Sequence, residues 1–294
     1  MSHNVLPTKK RRNPNSQELG LRIANIFGRY LLKSDHLHYG FWPDNLPVTL
    51  ANLPKAQELY AQFLRENIPG SVSSILDVGC GTGHNAELLL ACGYQVDCVS
   101  PSPYLSSVTR KKLRERSKLY ECTFEELPPG RKYDCLLFSE SFQYIDLDTV
   151  FLRMPEFLNP GGYVVISDFF RIPGEGSSAM GGGHRLSRFR EKLAASPFRL
   201  LTEKDITGNT APNLQLVDEA LQQVAVPLRD LVIGELSSRH RWFWLPAKWI
   251  GRLFFHCKLE KLHYKYFSGS RNAENFRKHK RYCLFLLQKK PAEA

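Results

Sequence analysis

The segment Ile75-Leu76-Asp77-Val78-Gly79-Cys80-Gly81-Thr82-Gly83 carries the plainest chemical signal in the chain. Glycines at alternate positions between a strand and a helix let the backbone turn sharply and approach a ligand closely, because no Cβ intervenes. The helix that follows offers unpaired N–H groups. A tight strand-to-helix turn without a ligand would also use glycine. The spacing is G-x-G-x-G, however, and not the G-x-G-x-x-G of a dinucleotide pyrophosphate site. An acid, Asp77, precedes the first glycine pair. That combination favours a cationic nucleoside without phosphate. A second group, Ser139 and Glu140, closes the strand read over Tyr133–Phe138, and ligands of open parallel sheets bind beyond strand C-termini. Glu140 there would stabilise developing positive charge or accept a proton, unless it is a solvated loop carboxylate. Tyr144 and His184 are further pocket candidates, His184 as a catalytic one, although a single histidine is more often a satisfied structural group.

The elements that must position these residues follow from periodicity. Residues 1–18 read as a flexible basic tail. Apolar residues at helical spacing predict a helix over Leu19–Leu32, and a second over Leu53–Asn67 that stops at Pro69-Gly70. Strands are read at Ser74–Val78, Gln95–Val99, Leu119–Cys122, Tyr133–Phe138 and Gly162–Ser167, with helices Asn85–Ala91 and Tyr104–Arg116 between the first three. Strands alternating with helices predict an α/β fold, a Rossmann-like, seven-stranded, mostly parallel sheet with helices on both faces. Phe198–Ile206 and Tyr282–Leu287 supply the last two strands. The roughly seventy-five residues between them are too many for a bare loop and predict a helical cap. The expected division is a tail at 1–18, a helical lid at 19–70, a cofactor-binding core at 71–210, a cap at 211–279, and the last strand with its tail at 280–294.

The chain has 294 residues, 43% hydrophobic and 23% charged, which excludes wholesale disorder and collagen-like repeats. No run of about 18 apolar residues occurs, so a membrane-spanning helix is not expected. The basic run Lys9–Arg12 has no apolar block after it and does not read as a secretory signal. Seven cysteines without a CxxC pair argue against a disulfide framework or a metal site and for a reducing, cytoplasmic setting. The net charge is +11, and residues 235–290 hold fourteen Lys and Arg against three acids. The whole excess therefore lies near the C-terminus, which implies an anionic partner or a merely solvated basic face. Within residues 241–255 three of the four tryptophans and three phenylalanines stand among cations. Peripheral contact with a membrane interface and a cap over a lipophilic pocket both fit that pattern.

The motif Asp77-Val78-Gly79-Cys80-Gly81-Thr82-Gly83 resembles the first motif of class I S-adenosylmethionine-dependent methyltransferases, and the order of elements over about residues 70–170 is similar to that family. The resemblance implies that S-adenosyl-L-methionine is the cofactor. Gly79, Cys80, Gly81 and Gly83 would pass under its methionine part, and Asp77 would orient it. At the end of the second strand the family usually has an acid for the ribose, whereas this chain has Ser100. Ser100 with Ser102 resembles the sterol, tocopherol and cyclopropane-fatty-acid type of small-molecule methyltransferase. So do Leu53-Pro54-Lys55-Ala56-Gln57 and Phe138-Ser139-Glu140-Ser141. Thr123 and Phe124 fall where adenine contacts are expected, with Phe124 stacking on the base. The resemblance also implies that Tyr39, in His38-Tyr39-Gly40-Phe41-Trp42, covers the sulfonium, for which cation–π attraction gives a physical reason. Asn159-Pro160-Gly161-Gly162 resembles the turn before the fifth strand.

Methyl transfer from a sulfonium needs alignment and exclusion of water, and a base only when the acceptor must lose a proton. The expected function is transfer to a small, lipophilic or anionic acceptor at carbon, oxygen or nitrogen in a closed pocket. The alternatives are an RNA (tRNA) methyltransferase using the basic region and a non-catalytic cofactor-binding protein. No RNA-binding module or base-methylation motif stands in the chain, so nucleic acid is not the expected partner. The oligomeric state is not legible.

Overall fold

In the computed structural model the described residues are 14–173, 180–239 and 268–291. Seven strands form one sheet: β1 (Ser74–Val78), β2 (Gln95–Val99), β3 (Leu119–Tyr120), β4 (Tyr133–Ser139), β5 (Leu158–Arg171), β6 (Phe198–Asp205) and β7 (Lys280–Lys289). Their order is β3-β2-β1-β4-β5-β7-β6. β7 runs antiparallel to both of its neighbours, and the other pairings are parallel. The expected seven-stranded, mostly parallel sheet is the observed one. All five residues of β1 are buried, because a strand covered on both faces carries no solvent-facing row.

The sheet separates two apolar layers. One is rich in phenylalanine, with Phe138, Phe142, Phe170, Phe189 and Phe285 packed together. The other includes Tyr60, Ile75, Leu137, Val165 and Leu284. Helix α1 spans Pro14–Phe27 and continues as a π-helical turn to Leu32, so residues 14–18 are helical where a tail was expected. Residues 1–13, which include Lys9–Arg12, lie outside the described residues. Helix α2 (Leu53–Glu66) is a core helix and not a lid element: Ala56 and Tyr60 are fully buried, and Tyr60 packs in the second layer. Of the segment expected as a lid, α1 and the loop leading to Trp42 stand apart from this core helix.

Helices α3 (His84–Ala91), α4 (Pro103–Leu113), α5 (Leu147–Arg153) and α6 (Leu186–Ala194) lie along the chain between the strands. After β6 come α7 (Thr207–Thr210), α8 (Pro212–Ala220), a π-helical turn at Leu221–Ala225, α9 (Val226–Arg239) and, before β7, α10 (Ala273–His279). The described part of the expected cap is thus helical. The aromatic and basic segment 241–255 lies outside the described residues.

Several strand ends differ from expectation, those of β3 and β5 most. β3 is only two residues long and pairs with β2 through Cys98↔Leu119 and Val99↔Tyr120. β5 starts at Leu158, so Asn159-Pro160-Gly161-Gly162 lies inside the strand and not in a turn before it. Leu158 pairs with Tyr133 and Tyr163 with Cys135, so the extra residues form a bulge with Gly161 at φ +71°. A bulge of this kind needs a residue that accepts positive φ.

Candidate active site

Beyond the C-terminal ends of β1, β2 and β4 a cavity of about 560 Å³ opens, with Val78, Gly79, Val99, Ser102, Thr123 and Ser141 on its walls. A second, of about 360 Å³, shares Gly79, Pro101, Ser102, Ser141 and Tyr144 with it and extends past Asp77, Gly81 and Glu140. Together they form one groove across the strand ends, closed on one side by Leu21 of α1.

Of the expected cofactor residues, Asp77, Gly79, Cys80, Gly81, Ser100, Ser102 and Ser139 line the smaller cavity, and Thr123 and Phe124 the larger. Gly79 and Gly81 adopt φ of +80° and +58°. A Cβ on Gly81 would meet nothing closer than a Leu37 methyl at 3.9 Å, so its bare Cα faces open groove. A Cβ on Gly79 would stand 2.4 Å from the Ser141 Cβ. Gly79→Ala is accordingly expected to destabilise the chain by about 2–4 kcal/mol, from left-handed strain plus overpacking. Urea denaturation of the two proteins measures it.

Gly83 lines neither cavity; it caps the start of α3 at φ +74°, and a Cβ there would strike Thr109 at 2.8 Å. Glycine there is required by helix entry and by packing against Thr109. The Cys80 thiol points away from the groove, 3.9 Å from the Thr109 hydroxyl, so Cys80 meets the groove through its backbone.

Three other expectations need correction. Phe124 is 2% exposed, with its ring between Phe138 and Phe157 at 5.5 Å each; it is a core anchor forming wall, with no open face on which a base could stack. The Tyr39 ring lies outside both cavity linings, among Phe169, Phe276 and Tyr282. Its place over the groove is taken by His36, Leu37 and His38. His184 also lies outside the groove: Nε2 is 3.2 Å from the Phe142 carbonyl oxygen, and the ring packs edge-on against Phe142. Burial lowers its pKa, which suits a neutral structural imidazole. Tyr144 lines both cavities, as expected for a pocket residue.

Glu140 is the centre of a polar network. It has φ +55°, rare for a residue with a side chain, and its N–H donates to the Ser167 carbonyl at 2.9 Å. Non-glycine residues held there cost on the order of 1–3 kcal/mol and cluster at functional sites. Oε1 accepts from the Tyr39 N–H and from the Tyr282 hydroxyl, each at 2.8 Å. The Tyr282 and Tyr60 hydroxyls are 2.7 Å apart, and Tyr60 donates to Ser167 Oγ at 2.8 Å. Burial raises the Glu140 carboxyl to about 7, against the two hydrogen bonds that lower it. Asp168, inside β5 and paired with Cys283, is fully buried and accepts from Gln143 N and Nε2 at 3.0 and 3.1 Å. Burial and the charge of Glu140 push it to about 8.

At the other end of the groove Asp77 is 2% exposed, and its Oδ2 has no partner. Burial alone raises it to about 7. Neither ring nitrogen of the buried His36 has a partner either. Buried polar atoms in folded proteins are nearly always paired. A cluster of orphaned ones beside a glycine loop fits a polar guest carrying both charges, such as the amino-acid end of S-adenosylmethionine. Burial lowers the imidazoles of His36 and His38, to about 2 and about 4, so both stand neutral in the free protein.

Sequence reasoning missed Glu18, His36, Ser141, Asp168 and the Tyr60–Tyr282 pair. Asp168 had a signal, its place directly after the strand read over Gly162–Ser167. The others come together only through the fold.

Residues 52–201 match a family described as a methyltransferase domain. Over 144 residues, 46% of this chain and 51% of the other, the sequence is 31% identical to the methyltransferase GfsG of Streptomyces halstedii. It is 28% identical over 162 residues, 53% of this chain and 63% of the other, to a ubiquinone biosynthesis O-methyltransferase of Bradyrhizobium diazoefficiens. The chain thus spans half to somewhat under two thirds of these relatives' lengths. The fold is shared with geranyl diphosphate C-methyltransferase from Streptomyces coelicolor A3(2), at a TM-score of 0.64 and 17% identity over 96% of this chain and all of that one.

Proposed function

The chain belongs to the methyltransferase-domain family, and on that premise we propose that it moves a methyl group from S-adenosyl-L-methionine to a small, lipophilic or anionic acceptor. The observation that carries this reading is the groove itself. It joins a glycine cradle, beside the buried Asp77 whose Oδ2 has no partner, to the half-buried and hydrogen-bonded acid Glu140. The donor, when bound, supplies an activated methyl whose C–S bonding electrons return to sulphur as the acceptor lone pair forms the new bond. The chain's residues have to align and dehydrate that encounter.

Gly79 and Gly81 give the backbone close approach, Asp77 meets an ammonium group, and His36 with Asn85 offers polar atoms to the rest of the amino-acid end. Glu140 faces the reaction end, positioned by Tyr39 and Tyr282, and takes a proton from any acceptor that must lose one. The aromatic cluster of Tyr39, Phe169, Phe276 and Tyr282 behind it is core packing that holds the two groups bonded to Glu140 in place. Geranyl diphosphate, named with the structural neighbour from Streptomyces coelicolor, has that combination of apolar chain and anionic end. Among the described residues no helix is long and apolar enough to cross a membrane.

Incubation with methyl-labelled donor and pools of prenyl phosphates, quinols, hydroxy acids and amines tests the proposal. Label is expected in a prenyl, quinol or acid fraction. Transfer to none of the pools, with donor binding intact, would contradict it.

A further inference from the structure

We propose that Glu18, carried by helix α1, is the carboxylate that binds the vicinal ribose hydroxyls of the donor, so that the docked helix completes the donor site. This deepens the donor-site reading and rests on it. Glu18 lines the larger cavity beside Gly79, Val99, Pro101 and Ser102. Its side chain is only 21% exposed, and it is held from several directions. Ser102 Oγ donates to Oε2 at 2.7 Å, and the Tyr104 N–H donates to Oε1 at 3.0 Å. Arg22, one turn further along α1, lies 3.6 Å from Oε1.

The carboxylate therefore sits across the first turn of α4, an eleven-residue helix whose unpaired N–H groups favour an anion. The rest of α1 is fastened to the same point. The Asn25 amide donates to the Tyr104 hydroxyl at 2.9 Å, and the Arg22 guanidinium lies 5.1 Å from the centre of the Tyr104 ring. Position and orientation of Glu18 are thus fixed by contacts that have no other evident purpose than to bring α1 onto the rim of this cavity.

The chemistry of the neighbours says what the carboxylate is for. Among the described residues, those at the end of β2 that line the groove are Ser100, Pro101 and Ser102, and they offer only neutral groups. A vicinal diol presents two O–H donors, and a carboxylate has about four acceptor positions. Two of those on Glu18 are taken by Ser102 and Tyr104, which leaves room for a diol. Hydrogen bonds to an ionised acceptor are roughly twice as strong as neutral ones. A ribose bound here would be held by α1 and by the start of α4 together.

Calorimetric titration of S-adenosylhomocysteine and of its 2′,3′-dideoxy analogue into the full chain, into Glu18→Gln and into Glu66→Gln tests this. Glu66 is the comparison because it is an exposed carboxylate on α2, bonded to Gln62 and outside both cavity linings. Glu18→Gln is expected to weaken S-adenosylhomocysteine by about 10-fold or more, the loss of a charge-assisted contact, and to leave the dideoxy analogue unchanged. Glu66→Gln is expected to leave both unchanged. Equal weakening of both ligands by Glu18→Gln would mean that the residue only fastens α1, and no weakening of either would mean that it does neither; each overturns the assignment while donor binding stands. Failure of the unaltered chain to bind S-adenosylhomocysteine would instead remove the donor reading, and this inference with it.

Discussion

Glu140→Gln is expected to slow methyl transfer by about 10²- to 10⁴-fold for acceptors that must lose a proton, with donor affinity kept. The amide oxygen of Gln can still accept from the Tyr39 N–H and the Tyr282 hydroxyl, the two groups that hold Glu140, so the loss isolates the proton-accepting function. Because burial raises the carboxyl to about 7, the base form predominates only above that pH. The rate should therefore climb as pH rises through about 7 in the unaltered protein, and Glu140→Gln should lose that limb. Steady-state kinetics at saturating donor across pH 5.5–9 reads both. A residue that merely shaped the site would lower the rate without flattening the profile.

The second large effect has opposite signs on two observables. Asp77→Asn is expected to weaken donor binding by roughly 10- to 100-fold, since the ammonium loses a charged partner in a buried site. The same change should stabilise the free chain above pH 7, by an amount on the order of 2 kcal/mol, because it removes a carboxylate that burial alone raises to about 7 and whose Oδ2 has no partner. Calorimetric binding and urea denaturation at pH 8 give the pair of values. A purely structural aspartate would lose stability on substitution.

The same physics fixes the pH dependence of folding. Asp77, Glu140 and Asp168 are raised from 3.8, 4.5 and 3.8 to about 7, 7 and 8. An acid whose folded pKa lies above its unfolded value binds the extra proton in the native state, so stability falls as pH rises. Their contribution is fully present below about pH 4 and lost as pH passes through about 8. Below about pH 6.5 the depressed imidazoles of His36 and His38 work in the opposite direction, so urea midpoints of the ligand-free chain should decline between about pH 7 and 9, and Asp77→Asn should flatten part of that decline.

Much of this architecture was legible before any coordinates. β1 and β2 occupy the residues expected, because short β-branched runs end at glycine or proline, and the seven-stranded sheet follows from the alternation of strands and helices. The glycine loop was legible for the same reason: φ above zero and a close approach demand glycine at Gly79 and Gly81. What failed is what depends on distant partners. Leu158–Arg171 is longer than its apolar centre suggested because β7 pairs with it from Tyr163 to Arg171. Phe124 was read as a stacking plate because its type allows it, yet Phe138 and Phe157 claim its ring. Tyr39 points the wrong way for its expected role because Phe169, Phe276 and Tyr282 form a better apolar environment for the ring, leaving its N–H to Glu140. Glu18 was invisible because nothing local in α1 tells of Ser102 and Tyr104, eighty-odd residues downstream.

The central claim, that the groove beyond β1, β2 and β4 holds the methyl donor, is tested most directly by diffraction from crystals grown with S-adenosylhomocysteine. The account predicts density for one molecule, its amino-acid end over Gly79–Gly81 within hydrogen-bond reach of Asp77 and its thioether toward Glu140. A loop sealed by its own side chains, or a guest found elsewhere on the protein, would contradict it.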